Sequence, residues 1–321
     1  MIPTGKGILI WQLKNCSGGD PVRLAGMAQA AGFSWVAIKA ANGTADFNAD
    51  LFMPAKSVLE AVGIQVWGWQ YLYGANIYTG ASIAKQEAEA AIRNINRYGL
   101  AGWIMDPESE YKRKGAAAWA DTYVTMLRST FPSLPIGLCS YRYPSLHPEL
   151  PWHNFLRRCD FHAPQVYWID AHNPVVQLAR SWQELRSLRD LPVIPIGSAY
   201  AEHGWQPTVN ELDSFDQEAH ILGLPGLGWW AWDDHGLEEH PDYWQAVSAH
   251  EWGAPIPPAP PPALPVAVST KSKYINIRNA PDLTTGSDVG DIIATKLPVV
   301  GESGEFWRVS GYVAKSITEP V

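Results

Sequence analysis

Eight short apolar segments recur between residue 7 and residue 233, and amphipathic stretches long enough for helices fall between them. This alternation constrains the fold more than any other feature, because it is the mark of β/α units building a parallel sheet. The strands are expected at Gly7 to Leu13, Trp35 to Ala41, Gln65 to Tyr71, Gly102 to Glu108, Pro135 to Tyr141, Phe161 to Trp168, Pro192 to Ser198 and Gly226 to Asp233. Helices are expected between them, among others over Pro21 to Ala31, Ile83 to Tyr98, Ala116 to Thr130, Val175 to Leu188 and Val209 to Leu222. Gly32, Gly63, Gly99 and Gly223 stand where such helices should stop. No Gly-rich phosphate fingerprint follows the first strand, so an eight-stranded closed β/α barrel of the TIM type is preferred to an open doubly wound sheet. In such a barrel, polar residues at the carboxyl ends of the strands are the ones suspected of function.

The pattern breaks after Trp252. Seven of the eleven residues from Pro255 to Pro265 are proline, which predicts an extended, semi-rigid spacer. Beyond it, short alternating segments with turn signals at Pro281, Gly286, Gly301 and Gly304 predict a small all-β unit. The expected division is a barrel over 1–253, a linker over 254–265 and a β domain over 266–321. A net charge of −8 argues against a nucleic-acid partner or an anionic membrane surface, and no apolar run reaches the ~18 residues of a membrane span. The three cysteines, Cys16, Cys139 and Cys159, have neither disulfide-framework nor zinc-ligand spacing and are expected as buried thiols.

The strongest chemical signal is Trp103-Ile104-Met105-Asp106-Pro107-Glu108, at the end of the fourth strand. Side chains alternate along a strand, so Asp106 and Glu108 should point together into the barrel mouth, about 6.6 Å apart along the chain. Mutual repulsion then raises the pKa of one of them, and the pair becomes the acid and the anion that glycosidic cleavage needs. Glu110 and Tyr111 follow in the loop, and Asp233 or Asp234, after the last strand, could add a carboxylate from another side. Lys39 lies inside an apolar strand and calls for a carboxylate partner, either at the mouth or in a purely structural ion pair.

Aromatic residues gather near the same face: Trp67, Trp69, Tyr71 and Tyr73 on or after strand three, Tyr167 and Trp168 after strand six, and Trp229, Trp230 and Trp232 at strand eight. Of these, Trp69, Tyr71, Tyr167, Trp168, Trp230 and Trp232, with Lys39, are the candidate sugar contacts, because aromatic faces serve apolar sugar faces as well as cores. His235 and His240 are the only close histidine pair in that region, which is poor metal spacing, so no metal and no cofactor is expected. Serine-hydrolase elbows, phosphate loops and paired Cys-x-x-Cys motifs are absent from the sequence.

In these motifs the chain resembles the glycoside hydrolase family 25 lysozymes. Val36-Ala37-Ile38-Lys39-Ala40-Ala41-Asn42-Gly43 is similar to that family's second-strand motif, Gly7-Ile8-Leu9-Ile10-Trp11-Gln12 to its first strand, and Asp106-Pro107-Glu108 to the acidic end of its fourth. The resemblance implies a cell-wall glycan hydrolase of the muramidase or endolysin kind, cutting β-1,4 amino-sugar linkages. Glu108 would be the general acid, with Asp106 orienting or charge-stabilising the acetamido sugar. Two positions depart: the family's first-strand acid falls on Leu9, and the glutamate of its second-strand motif on Asn42.

The tail segments Ile275-Asn276-Ile277-Arg278-Asn279-Ala280-Pro281 and Trp307-Arg308-Val309-Ser310-Gly311-Tyr312-Val313 resemble bacterial SH3-like modules. That resemblance implies either peptidoglycan targeting or a structural appendage. The N-terminus shows no basic segment followed by an apolar stretch, so action at the cell envelope would require release by lysis or a phage-type route. The rival expectation is a catalytically silent carbohydrate-binding or structural protein on the same barrel, and Leu9 is the residue that favours it.

Overall fold

The computed structural model describes residues 1–233 and 235–252 in full and, beyond them, the backbone of eight short strands. The chain divides into two compact units, Met1–Gly253 and Ala254–Val321. Asp234 and the proline-rich segment 254–265 lie outside the described residues.

In the first unit each strand is followed by a helix, eight times over. The barrel strands are β1 Gly5–Ile10, β2 Trp35–Asn42, β3 Gln65–Leu72, β4 Trp103–Pro107, β5 Ile136–Tyr141, β6 Phe161–Val166, β7 Ile196–Ser198 and β8 Gly226–Trp230, and a two-residue strand, Ala45–Asp46, folds back antiparallel on the end of β2. The helices are α1 Pro21–Ala30, α2 Ala49–Ala61, α3 Ala84–Tyr98, α4 Ala116–Thr130, α5 Trp152–Leu156, α6 Pro174–Leu188, α7 Val209–Ile221 and α8 Pro241–Ala249. Neighbouring strands pair in parallel from β2 through to β8, β8 pairs with β1, and β1 returns to β2 with Gly7 opposite Trp35, so the sheet closes. A sheet covered on both faces needs apolar side chains on both, and this is why the strands read as near-continuous apolar runs.

Helix boundaries follow from local chemistry. The Asp20 carboxylate accepts from the amides of Val22 and Arg23 at the start of α1, and Thr208 and Glu211 form a reciprocal capping box at the start of α7. Gly99, at φ 58°, ends α3 in the left-handed region. The seventh strand is shorter than its apolar run predicts, because Pro192 and Pro195 have no N–H to give to the ladder. The eighth ends at Trp230 rather than Asp233.

Two cores result. One lies between barrel and helices, and the other, inside the barrel, contains Leu9, Trp35, Ala37, Trp67, Phe161 and Ile196. The floor of the inner core is aromatic. Trp35, Trp67 and Phe161 lie across it, each over a glycine in or just before a neighbouring strand: Gly7, Gly102 and Gly137. A β-carbon at any of the three would stand within 2.2 Å of a ring atom.

Below the floor, Lys6 of β1 donates to the carbonyls of Val247 at 2.5 Å and His250 at 2.7 Å, closing the end of α8 onto the first strand. Burial pushes the Lys6 amine down to about 8. His250 in turn pairs with Asp213 at 2.7 Å and Asp216 at 3.2 Å, and the Trp252 ring packs on His220 at 4.0 Å between centroids.

In the second unit the described strands pair antiparallel throughout. Lys296–Pro298, Ala267–Thr270 and Thr318–Pro320 make one sheet; Asp288–Ile293, Tyr274–Arg278, Tyr312–Ala314, Phe306–Arg308 and Gly301–Ser303 make another, each in that order. No helix among the described residues is long and apolar enough to cross a membrane.

Candidate active site

Above the aromatic floor, at the carboxyl ends of the strands, the barrel opens into a cavity of about 1240 Å³. Strand alternation decides what faces it: Leu9 from β1, Lys39 from β2, Trp69 and Tyr71 from β3, Ile104 and Asp106 from β4. Cys139 of β5, Gln165 of β6 and Trp230 of β8 continue the ring, and the loops add Glu108, Tyr167, Tyr200 and Trp205.

Asp106 is buried and Glu108 half-buried, side by side as the period-two reading predicts. The Gln165 side-chain amide joins them: its Nε2 donates to Asp106 Oδ1 at 2.9 Å and to Glu108 Oε1 at 2.8 Å. Burial pushes both carboxyls above their usual range, and the neighbouring negative charge, Glu108 for Asp106 and Glu110 for Glu108, adds to it. Lys39 acts on both in the opposite direction. Glu110 accepts from the Tyr71 hydroxyl at 2.8 Å, which fixes the outer wall. Two buried acids side by side disfavour both being ionised at once, so the arrangement favours one proton held by the pair.

Lys39 does not have the ion-pair partner its burial led us to expect. Among the described residues no carboxylate comes within 4.0 Å of its ammonium. Four rings surround it instead, those of Trp69 at 4.8 Å, Phe47 at 5.0 Å, Tyr71 at 5.6 Å and Trp11 at 5.8 Å. The negative faces of aromatic rings replace part of the lost hydration, although burial still pulls the amine down to about 8.

Three other expected site residues stand elsewhere. The Asp233 carboxylate accepts from the backbone amides of Trp11 at 3.0 Å and Gln12 at 2.6 Å, so it caps the exit of β1 rather than entering the cavity. Trp168 points outward because Tyr167 points inward, and it is buried against Phe215. Trp232 follows the end of β8, packs on Trp244 and donates its Nε1–H to Glu238 at 2.7 Å. Trp67 belongs to the floor, Trp229 packs outward on Phe215, and Tyr111 packs on Phe155 in the outer core.

Trp69, Tyr71, Tyr167 and Trp230 do face the cavity, with Trp69 and Trp230 meeting edge to face at 5.6 Å. Leu9 leaves an apolar patch where the resembling family has an acid, and Asn42 donates to the Tyr73 hydroxyl at 3.2 Å. The rim carries His203 beside Glu202 at 3.3 Å and His235 beside Glu239 at 3.1 Å.

Sequence reasoning passed over Gln165, Trp11, Phe47, Tyr200 and Trp205. Gln165 sits two residues before Tyr167, on the same inward face, so the alternation that placed Tyr167 could have found it.

No protein-family model matches the chain, and no curated protein does so. Solved structures do. An endo-β-1,4-mannanase from Thermotoga petrophila superposes with a TM-score of 0.57 at 9% identity, covering 76% of this chain and 75% of that one. The catalytic domain of a chitinase from Pyrococcus furiosus gives 0.57 at 11% identity, covering 77% and 94%. A β-galacturonidase from Eisenbergiella tayi gives 0.54 at 14%, covering 76% and 50%. At these identities the likeness establishes the closed β/α barrel.

Proposed function

We propose that the chain is a glycoside hydrolase cutting β-1,4 bonds in an amino-sugar polymer, with Glu108 as proton donor. The observation that carries this is the Asp106–Glu108 pair, held by one amide in an aromatic-walled cavity at the catalytic end of the barrel. Cleavage breaks the bond between the anomeric carbon and the leaving oxygen, which takes the Glu108 proton. The charge of Asp106 steadies the positive centre that develops, or holds the acetamido group that closes on it. Water then adds to the anomeric carbon, returning its proton to Glu108. Oxygens that share one amide nitrogen stand too close to admit the intervening water of inverting enzymes, which need carboxyls roughly 6.5–9.5 Å apart, so retention of configuration is expected.

Peptidoglycan is the substrate we put first. The resemblance to family 25 lysozymes supports it, as does the resemblance of residues 266–321 to bacterial SH3-like modules, joined to the barrel by the linker 254–265. The structural neighbours named as a mannanase and a chitinase also act on polysaccharides. A wall-binding tail would hold a modest hydrolase on its polymer by raising local concentration. The site of action would be the cell envelope. The silent-barrel reading draws on one feature, the apolar Leu9 in an otherwise acidic mouth. Reducing ends released from peptidoglycan and chitin, by wild type and by Glu108→Gln, decide between the two. Turnover lost in the variant supports the hydrolase, and binding without any wild-type turnover supports the silent barrel.

A further inference from the structure

The acidic pair is not positioned by its own strand alone. Gln165 belongs to β6, which is separated from β4 by β5, and its side chain reaches across the mouth to both carboxylates. A primary amide nitrogen has two hydrogens, and here each goes to a different acid. An oxygen already accepting from a strong donor is the poorer place for a proton. A proton shared by the pair is therefore directed away from Asp106 Oδ1 and Glu108 Oε1, toward the remaining oxygens. The Cys139 thiol beside Asp106 also acts in favour of its ionised form.

The geometry points to Gln165 as the positioning residue of the pair: it holds the two carboxyls side by side and turns their shared proton away from Asp106 Oδ1 and Glu108 Oε1, toward the oxygens it does not bind. The catalytic consequence rests on the hydrolase reading above. The division of the proton does not.

Other groups face the pair from every side. Lys39 on β2 and Lys112 after β4 favour the ionised forms, Lys112 through Glu108 alone, and Glu110 opposes ionisation of Glu108. The hydroxyls of Tyr71, Tyr141 and Tyr167 feel the carboxylates from β3, β5 and beyond β6, and burial and those charges keep them protonated through the neutral range. None of these groups bridges both acids through one atom, as Gln165 does.

Gln165→Met removes both donors while keeping the length of the side chain, and Gln165→Glu keeps a polar group but removes at least one donor. Both variants raise the pKa values of the pair, because the amide stabilised the charged forms. Carboxyl ¹³C NMR titration should show the Asp106 and Glu108 transitions moved up by about one pH unit. The bell-shaped pH dependence of kcat/KM should move up with them, while kcat at the wild-type optimum falls by ~10-fold or more and KM changes little. Folded variants whose titration curves superimpose on wild type would overturn the inference and leave Gln165 a packing residue. A shifted titration in a protein without turnover sinks the hydrolase reading and keeps the pairing; turnover with an unshifted titration does the reverse.

Discussion

The indole of Trp35 occupies the space that a side chain at residue 7 would need: a β-carbon on Gly7 would stand 1.9 Å from Cε2 of the ring. Trp35 is enclosed and has nowhere to move. Gly7→Ala should therefore lower stability by about 1–3 kcal/mol or more through overpacking, read as a drop in Tm. The same logic gives a paired test at Gly137, where the obstructing ring is Phe161. Gly137→Ala and Phe161→Leu should each destabilise, and the double variant should cost less than their sum, because the new methyl takes up space that the ring vacates.

Catalysis should depend on Glu108 far more than stability does. Glu108→Gln keeps the shape of the site and removes its transferable proton, so turnover should fall by ~10²–10⁴-fold with Tm nearly unchanged. Asp106→Asn should also impair kcat by removing charge beside the developing positive centre. Turnover unaffected by Glu108→Gln would end this assignment.

Lys39 is a buried charge in a nearly closed aromatic cage, 6% exposed, with no ion-pair partner within 4.0 Å among the described residues, and burial pushes its amine down to about 8 although Asp106 and Glu108 act the other way. Lys39→Met should raise Tm at neutral pH, by on the order of 1–3 kcal/mol in stability. The sign of the pH effect follows from the depressed pKa. Between about pH 8 and the ordinary lysine range near 10.5, the unfolded chain holds more protons than the folded one, so the wild type gains stability as pH rises. Its deficit relative to Lys39→Met should shrink across that window, and a constant difference would mean that the amine titrates normally in the fold.

Two tryptophans two residues apart should separate binding from folding. Trp230 faces the cavity and Trp232 does not. Trp230→Ala should raise KM for oligosaccharides about tenfold with a modest change in Tm. Trp232→Phe removes one of the two donors to Glu238 Oε2, leaving only the Ser17 amide, and should lower Tm while leaving KM alone.

Residues 1–253 should fold without the rest, since the barrel owns both of its cores. A chain ended there should show one cooperative thermal transition, and should lose the retention on purified cell walls expected of the full chain. Equal retention of both chains would reduce the tail to a structural appendage.

Much of the barrel was legible because burial on both sheet faces leaves a plain mark. Helix α4 spans Ala116–Thr130, as read from periodicity, and the fourth strand differs from its expected bounds by one residue at each end. The Asp106–Glu108 pair was legible for the same reason, as alternation needs no knowledge of neighbours. What surrounds the pair was not. Gln165 meets it across the mouth, a contact no local spacing encodes, and glutamine carries no chemical flag of its own. Lys39 signalled the need for a partner without saying that rings could be that partner, and two of those rings, Trp11 and Phe47, lie outside the regular strands. Asp233 misled because a strand that stops at Trp230 sends the next carboxylate back to cap β1.

The clasp beneath the floor has a mechanical consequence. Lys6 grips the carbonyls at the end of α8, His250 is pinned by two aspartates, and Trp252 rests on His220, so the chain leaves the barrel through a knot of charged and aromatic contacts. That knot lies at the pole opposite the cavity. Tension applied to the chain beyond Trp252 would be borne there first, by bonds tying the last helix to the first strand, and the carboxylate pair would keep its geometry until that anchorage yields.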